Sequence, residues 1–220
     1  MAASHIYTYI NPTVESHIER AVQILEKGGV IAYPTDVNWA FGCDAANAKA
    51  LDRVRLLKPM HPKERPFSLI CHDLSMVSEV ANVDSQAYRL LRKTLPGPYT
   101  VLLQRNRTLP RQIKDKRKVV GVRIPKSPLV LAIVEKFGRP IATTSVPELP
   151  EKRYGAGVMA RFGFEVLEVF GHAIDLVIDL GDPVPGLEST IVDLTDGPPR
   201  LVRLGFGDAK PFDIETRDET

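Results

Sequence analysis

The stretch Gly28-Gly29-Val30-Ile31-Ala32-Tyr33-Pro34-Thr35-Asp36-Val37-Asn38-Trp39-Ala40-Phe41-Gly42 sets the reading of the whole chain. Upstream of it, Val14, Ile18, Ala21, Val22 and Leu25 recur every three to four residues, the period of a helix with one apolar face. Thr13 is placed to cap that helix, and Gly28-Gly29 ends it, because glycine enters the left-handed conformation at a helix C-terminus without steric cost. Residues 30–33 then read as a short buried strand. Thr35, Asp36 and Trp39 follow it, offering a hydroxyl, a carboxylate and a flat apolar wall. Ligands collect at such carboxyl ends of strands in open α/β sheets. The competing reading is a turn in which Thr35 and Asp36 bond only local backbone.

Strand and helix patterns alternate outward from this stretch. Residues 6–10 form a first strand, 47–58 a second helix, 67–71 a strand, and 74–81 and 84–95 helices. Strands at 99–104 and 119–124, a helix at 128–137, a strand at 140–144 and a helix at 157–170 follow. Pro59, Pro62 and Pro66 exclude helix from the charged loop between the second helix and the next strand. Three closely spaced strands, 176–180, 190–194 and 200–204, are joined by turn residues such as Asp196-Gly197-Pro198-Pro199. Their crowding calls for antiparallel pairing, since parallel neighbours need long crossovers. The pattern predicts an α/β fold: one open mixed parallel/antiparallel sheet flanked by helices, a single domain over 1–213. The end, from Phe212 on, has few apolar anchors, and 214–220 is read as a loose tail.

Composition narrows the function classes. With 220 residues, 44% apolar, 25% charged and a net charge of +2, the chain is an ordinary globular domain with no global signature of a polyanion partner. Cys43 and Cys71 make no CxxC pair and no metal-ligand spacing, so they read as reduced core thiols. No apolar run is long enough to span a membrane and no basic leader opens the chain; a cytoplasmic location is expected. His5, His17, His61, His72 and His172 show no ligand spacing, and GxGxxG, GxxxxGK[ST], HExxH and GxSxG are absent.

Several further segments carry chemistry-bearing residues, each with two readings. Lys58, with Lys63 and Arg65 beyond it, could neutralise phosphate or complement a helix C-terminus. Arg123 lies in the apolar strand Gly121-Val122-Arg123-Ile124, where a guanidinium is costly unless it meets an anion or an exposed face. Thr143-Thr144-Ser145 ends a strand with three hydroxyls that could bond an anionic ligand or cap a turn. Pro185-Gly186-Leu187-Glu188-Ser189-Thr190 delivers two hydroxyls to a strand whose hairpin partner carries Arg203; a plain hairpin is the alternative. Arg105, Arg107, Arg111, Lys114, Lys116, Arg117 and Lys118, with Asp115 as the only acid among them, form a basic run. It suits backbone phosphates or simply solvent.

Taken in order, these segments resemble one family, the YrdC/YciO-type threonylcarbamoyl-AMP synthases. Gly28–Asp36 resembles its glycine-glycine-apolar-PT-acidic opening, continued by Phe41-Gly42-Cys43-Asp44. Pro96-Gly97-Pro98-Tyr99-Thr100, Val122-Arg123-Ile124-Pro125, Thr144-Ser145 and Glu188-Ser189-Thr190-Ile191-Val192-Asp193-Leu194-Thr195 follow in the family's order, across about residues 6–213. The resemblance implies a twisted sheet with a positively charged concave surface. It also implies a reaction joining L-threonine, bicarbonate and ATP, with Mg²⁺ carried on the nucleotide, into threonylcarbamoyl-AMP for modification of tRNA adenosine 37. By the same resemblance Thr35, His72, Arg123 and Ser189 would contact the amino-acid substrate. Lys58, Ser145 and Arg203 would hold the nucleotide, with Lys58 also catalytic.

The departures point to the YciO branch. Met60 stands for the arginine of a Lys-x-Arg element and Pro147 for the asparagine of Ser-x-Asn, while Trp39 and Ala40 replace a tyrosine and a glycine. Lys63 or Arg65 could substitute for the missing arginine. The alternative function is a protein binding tRNA, double-stranded RNA or a nucleotide with weak or no turnover. Phosphate-driven RNA binding would weaken steeply with salt.

Overall fold

The computed structural model describes residues 3–9, 13–58, 67–107 and 118–214. The first half runs β1 (Ser4–Tyr7), α1 (Glu15–Glu26), β2 (Val30–Pro34), β3 (Trp39–Asp44), α2 (Ala48–Leu56), β4 (Ser68–Ile70), α3 (Leu74–Val80) and α4 (Ser85–Thr94). Next come β5 (Tyr99–Gln104), β6 (Val119–Arg123), α5 (Pro128–Phe137), β7 (Ile141–Ser145), α6 (Glu151–Tyr154) and α7 (Gly163–Phe170). The chain then adds β8 (Leu176–Asp179), β9 (Thr190–Asp193), β10 (Arg200–Arg203) and a 3₁₀ turn at Lys210–Phe212.

Local chemistry explains most element ends. Gly28, at φ 76°, turns the chain out of α1 into β2. The side chains of Asn47, Asp73 and Asp84 accept from Ala50, Met76 and Ala87 backbone N–H groups and cap α2, α3 and α4. Val14, not Thr13, occupies the cap position of α1, with no side-chain bond to the helix. The expected 157–170 helix is cut back to α7, preceded by the single turn of α6. Residues 39–44 carry no element in the sequence pattern. They form β3, antiparallel to β2 with Pro34 opposite Trp39 and Val30 opposite Cys43. All the side chains of both strands are buried, so neither shows the alternation by which a half-buried strand is recognised.

Among the described residues, ten strands form one sheet in the order β1-β8-β2-β3-β7-β4-β6-β5-β9-β10. It is mixed, with β1–β8, β2–β8, β4–β6 and β5–β9 parallel and the remaining neighbours antiparallel. The late strands are not one antiparallel group. β9 and β10 pair as expected, but β8 inserts between β1 and β2 at the other end of the sheet. Residues 180–189 therefore cross the molecule, and on the way the Leu187 N–H donates to the Val37 carbonyl at 3.0 Å. That crossover brings Leu187 against the Thr35–Asn38 turn, a juxtaposition the spacing of the strands alone does not show.

The core lies at the β2–β3–β8 end, where every strand residue is buried; α1, α2 and α7 cover these strands, and α5 packs on α1. Trp39, Tyr33 and Phe41 are its largest fully buried side chains. Phe212 is also fully buried, edge-on to Tyr99 with ring centroids 5.2 Å apart, so the chain stays anchored through it. Residues 215–220 lie outside the described residues.

Both cysteines are buried and free. Burial pushes the Cys43 thiol up to about 12 and raises that of Cys71 as well. Native protein at pH 8 is therefore expected to give almost no reaction with a thiol-disulfide reagent, and two thiols once unfolded in urea; fast release of either by native protein contradicts this burial. The unfolded chain loses these protons first, so stability falls as pH rises above the free-thiol range of about 8.5.

Candidate functional site

Past β7 the sheet presents one open face, and alternate residues of successive strands line a cleft on it. Thr143 and Ser145 of β7, Ser68 of β4, Gly121 and Arg123 of β6, and Thr100 and Leu102 of β5 share this face. β9 and β10 continue it with Ile191, Val202 and Arg203, and Ser189 enters just before β9. Register builds the floor: Ser68 lies opposite both Gly121 and Thr143, and Gly121 opposite Leu102. A Cβ on Gly121 would sit 3.0 Å from Ser68 Oγ, so the bare glycine gives the cleft its depth. Its volume is about 300 Å³, at the small end of the range for small-molecule sites.

Five of the seven side chains singled out in the sequence converge here: Lys58, Arg123, Ser145, Ser189 and Arg203 all line the cleft. Lys58, two residues beyond α2, donates from Nζ to Ser145 Oγ at 3.0 Å. Arg203 donates from Nη2 to the Ser189 carbonyl at 2.8 Å and from Nη1 to Glu188 Oε1 at 2.6 Å. Ser189 Oγ lies 2.9 Å from Thr100 Oγ1, which ties the β9 entry to β5. Among the described residues, the cations Lys58, Arg123 and Arg203 and one carboxylate, Glu188, line the cleft, a set that suits an anionic ligand.

Arg123 resolves a choice the sequence leaves open. It is buried, and its anion is internal: Nη2 lies 3.2 Å from Asp36 Oδ1. Asp36 Oδ2 accepts the Lys126 backbone N–H at 3.0 Å, locking the carboxylate in place. Burial lowers the Arg123 pKa and the Asp36 charge opposes that shift. Arg123 Nε remains buried without a hydrogen-bond partner, so the guanidinium keeps unused donor capacity beside the cleft.

Thr35 and His72 are placed differently from the other five. The Thr35 hydroxyl donates to the Asn38 carbonyl at 2.7 Å and accepts from the Val37 and Asn38 N–H groups. It closes its own turn and does not line the cleft. The residue of this turn that lines the cleft is Asn38, which no sequence motif singles out. His72 follows β4 outside the cleft lining, its Nδ1 3.5 Å from Asp73 Oδ1 without forming a hydrogen bond. Trp39 is no ligand wall: it is fully buried and donates from Nε1 to the Arg161 carbonyl at 3.1 Å. Met60, Lys63, Arg65, and Arg111, Lys114, Asp115, Lys116 and Arg117 of the basic run lie outside the described residues.

Family comparison places this arrangement. Residues 23–205 match the model of the Sua5/YciO/YrdC domain, described as "Telomere recombination". The chain belongs to the Sua5/YciO/YrdC family. It is 36% identical over 209 residues to YciO of Escherichia coli K12, covering 94% of this chain and 98% of that protein. A crystal structure of E. coli YciO has a TM-score of 0.84 at 34% identity, covering 96% of this chain and 100% of that one. The threonylcarbamoyl-AMP synthase of Pyrococcus abyssi is 29% identical over 192 residues, 87% of this chain but only 54% of that longer protein. A crystal structure of P. abyssi Sua5 complexed with L-threonine matches with a TM-score of 0.78 and 27% identity, over 93% of this chain and 58% of that one.

Among the described residues no group of three or more His, Cys, Asp and Glu side chains is placed to hold a metal ion. No helix among them is long and apolar enough to cross a membrane.

Proposed function

We propose that the cleft binds ATP and L-threonine and joins them, with bicarbonate, into threonylcarbamoyl-AMP. The observation that carries this reading is the convergence of Lys58, Arg123, Ser145, Ser189 and Arg203, scattered over 146 positions of sequence (58 to 203), on one cationic cleft. The family relatives named threonylcarbamoyl-AMP synthase and the threonine complex of Sua5 support the choice of ligands.

In this reading threonine enters with its carboxylate toward Arg123. Its amine and bicarbonate condense with loss of water to a carbamate. The carbamate oxygen attacks the α-phosphorus of ATP, forming the new P–O bond as the bond to pyrophosphate breaks. Lys58 and Arg203 face the charge that develops on the phosphoryl oxygens, and a cation held in place beforehand stabilises that charge without reorganising at the moment of reaction. Mg²⁺ arrives as part of the nucleotide and is held through its phosphates. Asp36 and Glu188 are each engaged by an arginine.

Pro147 bears directly on rate. It follows the strand-end Ser145 and offers neither an N–H nor a side-chain amide. Loss of one positioned donor costs roughly 10²- to 10³-fold, so turnover is expected to be slow and binding to survive better than turnover. The test is pyrophosphate release from ATP by purified protein. The reading requires release that depends on both L-threonine and bicarbonate; folded protein that binds both substrates yet releases none would refute the synthase step.

A further inference from the structure

The cationic cleft contains an anion of its own. Glu188 lines it, and Glu188 Oε1 accepts from Arg203 Nη1 at 2.6 Å. The two partners are held very differently. Arg203 is fixed from behind, with Nη2 and Nε both donating to the Ser189 carbonyl at 2.8 and 3.2 Å. The Glu188 side chain is 56% exposed, against 34% for that of Arg203. The Glu188 main chain is fixed as well. Its carbonyl accepts the Phe206 N–H at 2.8 Å, and the neighbouring Leu187 N–H donates to the Val37 carbonyl at 3.0 Å. The Glu188 carboxylate can therefore turn out into solvent without moving either the crossover or Arg203.

A guanidinium set in place and covered by a carboxylate that can leave is built for exchange of anions. A phosphate oxygen offers Arg203 Nη1 the same charge-assisted hydrogen bond that Glu188 gives it. Two anions at one nitrogen repel, so the arriving phosphate and Glu188 exclude each other. An ion pair this exposed holds weakly, and a polyphosphate with several charges can displace it.

We infer that Glu188 is a built-in competitor for the phosphate subsite: it occupies Arg203 in the empty cleft, gives way to the phosphates of the nucleotide, and returns to Arg203 as pyrophosphate leaves. This rests on the proposed binding of ATP in the same cleft. The contact lowers affinity for nucleotide and for pyrophosphate alike, and keeps the product from blocking the site.

The experiment is calorimetric titration of wild type, Glu188→Gln, Arg203→Met and the double variant with ATP in the presence of Mg²⁺ and, separately, with inorganic pyrophosphate. Far-ultraviolet circular dichroism confirms the fold of each variant. Glu188→Gln keeps the shape of the side chain and removes its charge, and is expected to bind both ligands about 2- to 5-fold more tightly than wild type. The gain should shrink as salt is added. It should vanish in the Arg203→Met background, where no guanidinium is left to release. Glu188→Asp keeps the charge but shortens the reach by one methylene, and should also bind more tightly than wild type; this arm decides the matter where Arg203→Met binds too weakly to titrate. Affinity of Glu188→Gln equal to or below that of wild type would overturn the inference and leave the proposed function standing. So would the same gain with and without Arg203, or a Glu188→Asp protein that matches wild type. Folded wild type and Glu188→Gln that bind neither ATP nor pyrophosphate would overturn both.

Discussion

Replacing Arg123 by methionine is expected to cost about 3–5 kcal/mol of folding stability, the loss typical of removing one partner from a buried ion pair. The charge left behind is that of Asp36, whose side chain is 10% exposed and whose Oδ2 is fixed by the Lys126 N–H. Little water can reach it, and its backbone partner cannot neutralise it. Changing both residues, Arg123→Met with Asp36→Asn, removes the orphaned charge and should recover part of the loss, giving a favourable coupling energy in the double-mutant cycle. Arg123→Lys keeps the charge but not the planar fork, and should fall between. Urea unfolding of the four proteins measures this. A single-mutant loss below about 1 kcal/mol, the scale of an exposed pair, would show that Asp36 is solvated and that the pair does not anchor β6 to the turn after β2. The same Arg123→Met protein should bind L-threonine poorly even where it remains folded.

Lys58→Met is expected to lower the rate of pyrophosphate release roughly 10²- to 10³-fold. Its ammonium is held by Ser145 Oγ at 3.0 Å, across the cleft floor from Arg203, so the charge is in place before any substrate arrives. Preorganisation predicts a loss concentrated in kcat and not in the KM for threonine, since the developing phosphoryl charge exists only in the transition state. Arg203→Met should show the same split, and the double variant should lose less than the product of the two single effects, because residues acting on one group are not additive. An unchanged kcat in folded Lys58→Met would remove Lys58 from the reaction.

The strand and helix pattern made the mixed sheet legible, because α5 and β5 follow directly from Pro128 and from the apolar run 99–104. β3 was not legible. Its six residues are all buried, and a continuous apolar stretch after Pro34-Thr35 carries no period-two signal. The position of β8 was hidden for a different reason: sequence proximity to β9 says nothing about a crossover that spans the sheet.

At the site, residue type identified the cationic and hydroxyl members, since charge in an apolar strand has few explanations. Direction was the missing information. Thr35 and Trp39 sit in the decisive stretch, but one turns its hydroxyl into its own turn and the other points into the core. Asp36 could be seen as a carboxylate near a strand end, yet its pairing with Arg123, 87 positions away, needs the fold.

The proposed function requires one cleft to take ATP and L-threonine together. Isothermal titration calorimetry of the full chain measures it most directly, titrating each ligand alone and then each in the presence of the other at saturation. The expected result is one site for each ligand, ATP binding weakened by Lys58→Met or Arg203→Met, and threonine binding weakened by Arg123→Met. Absence of heat with both ligands, or binding unaffected by all three substitutions in folded protein, would contradict it.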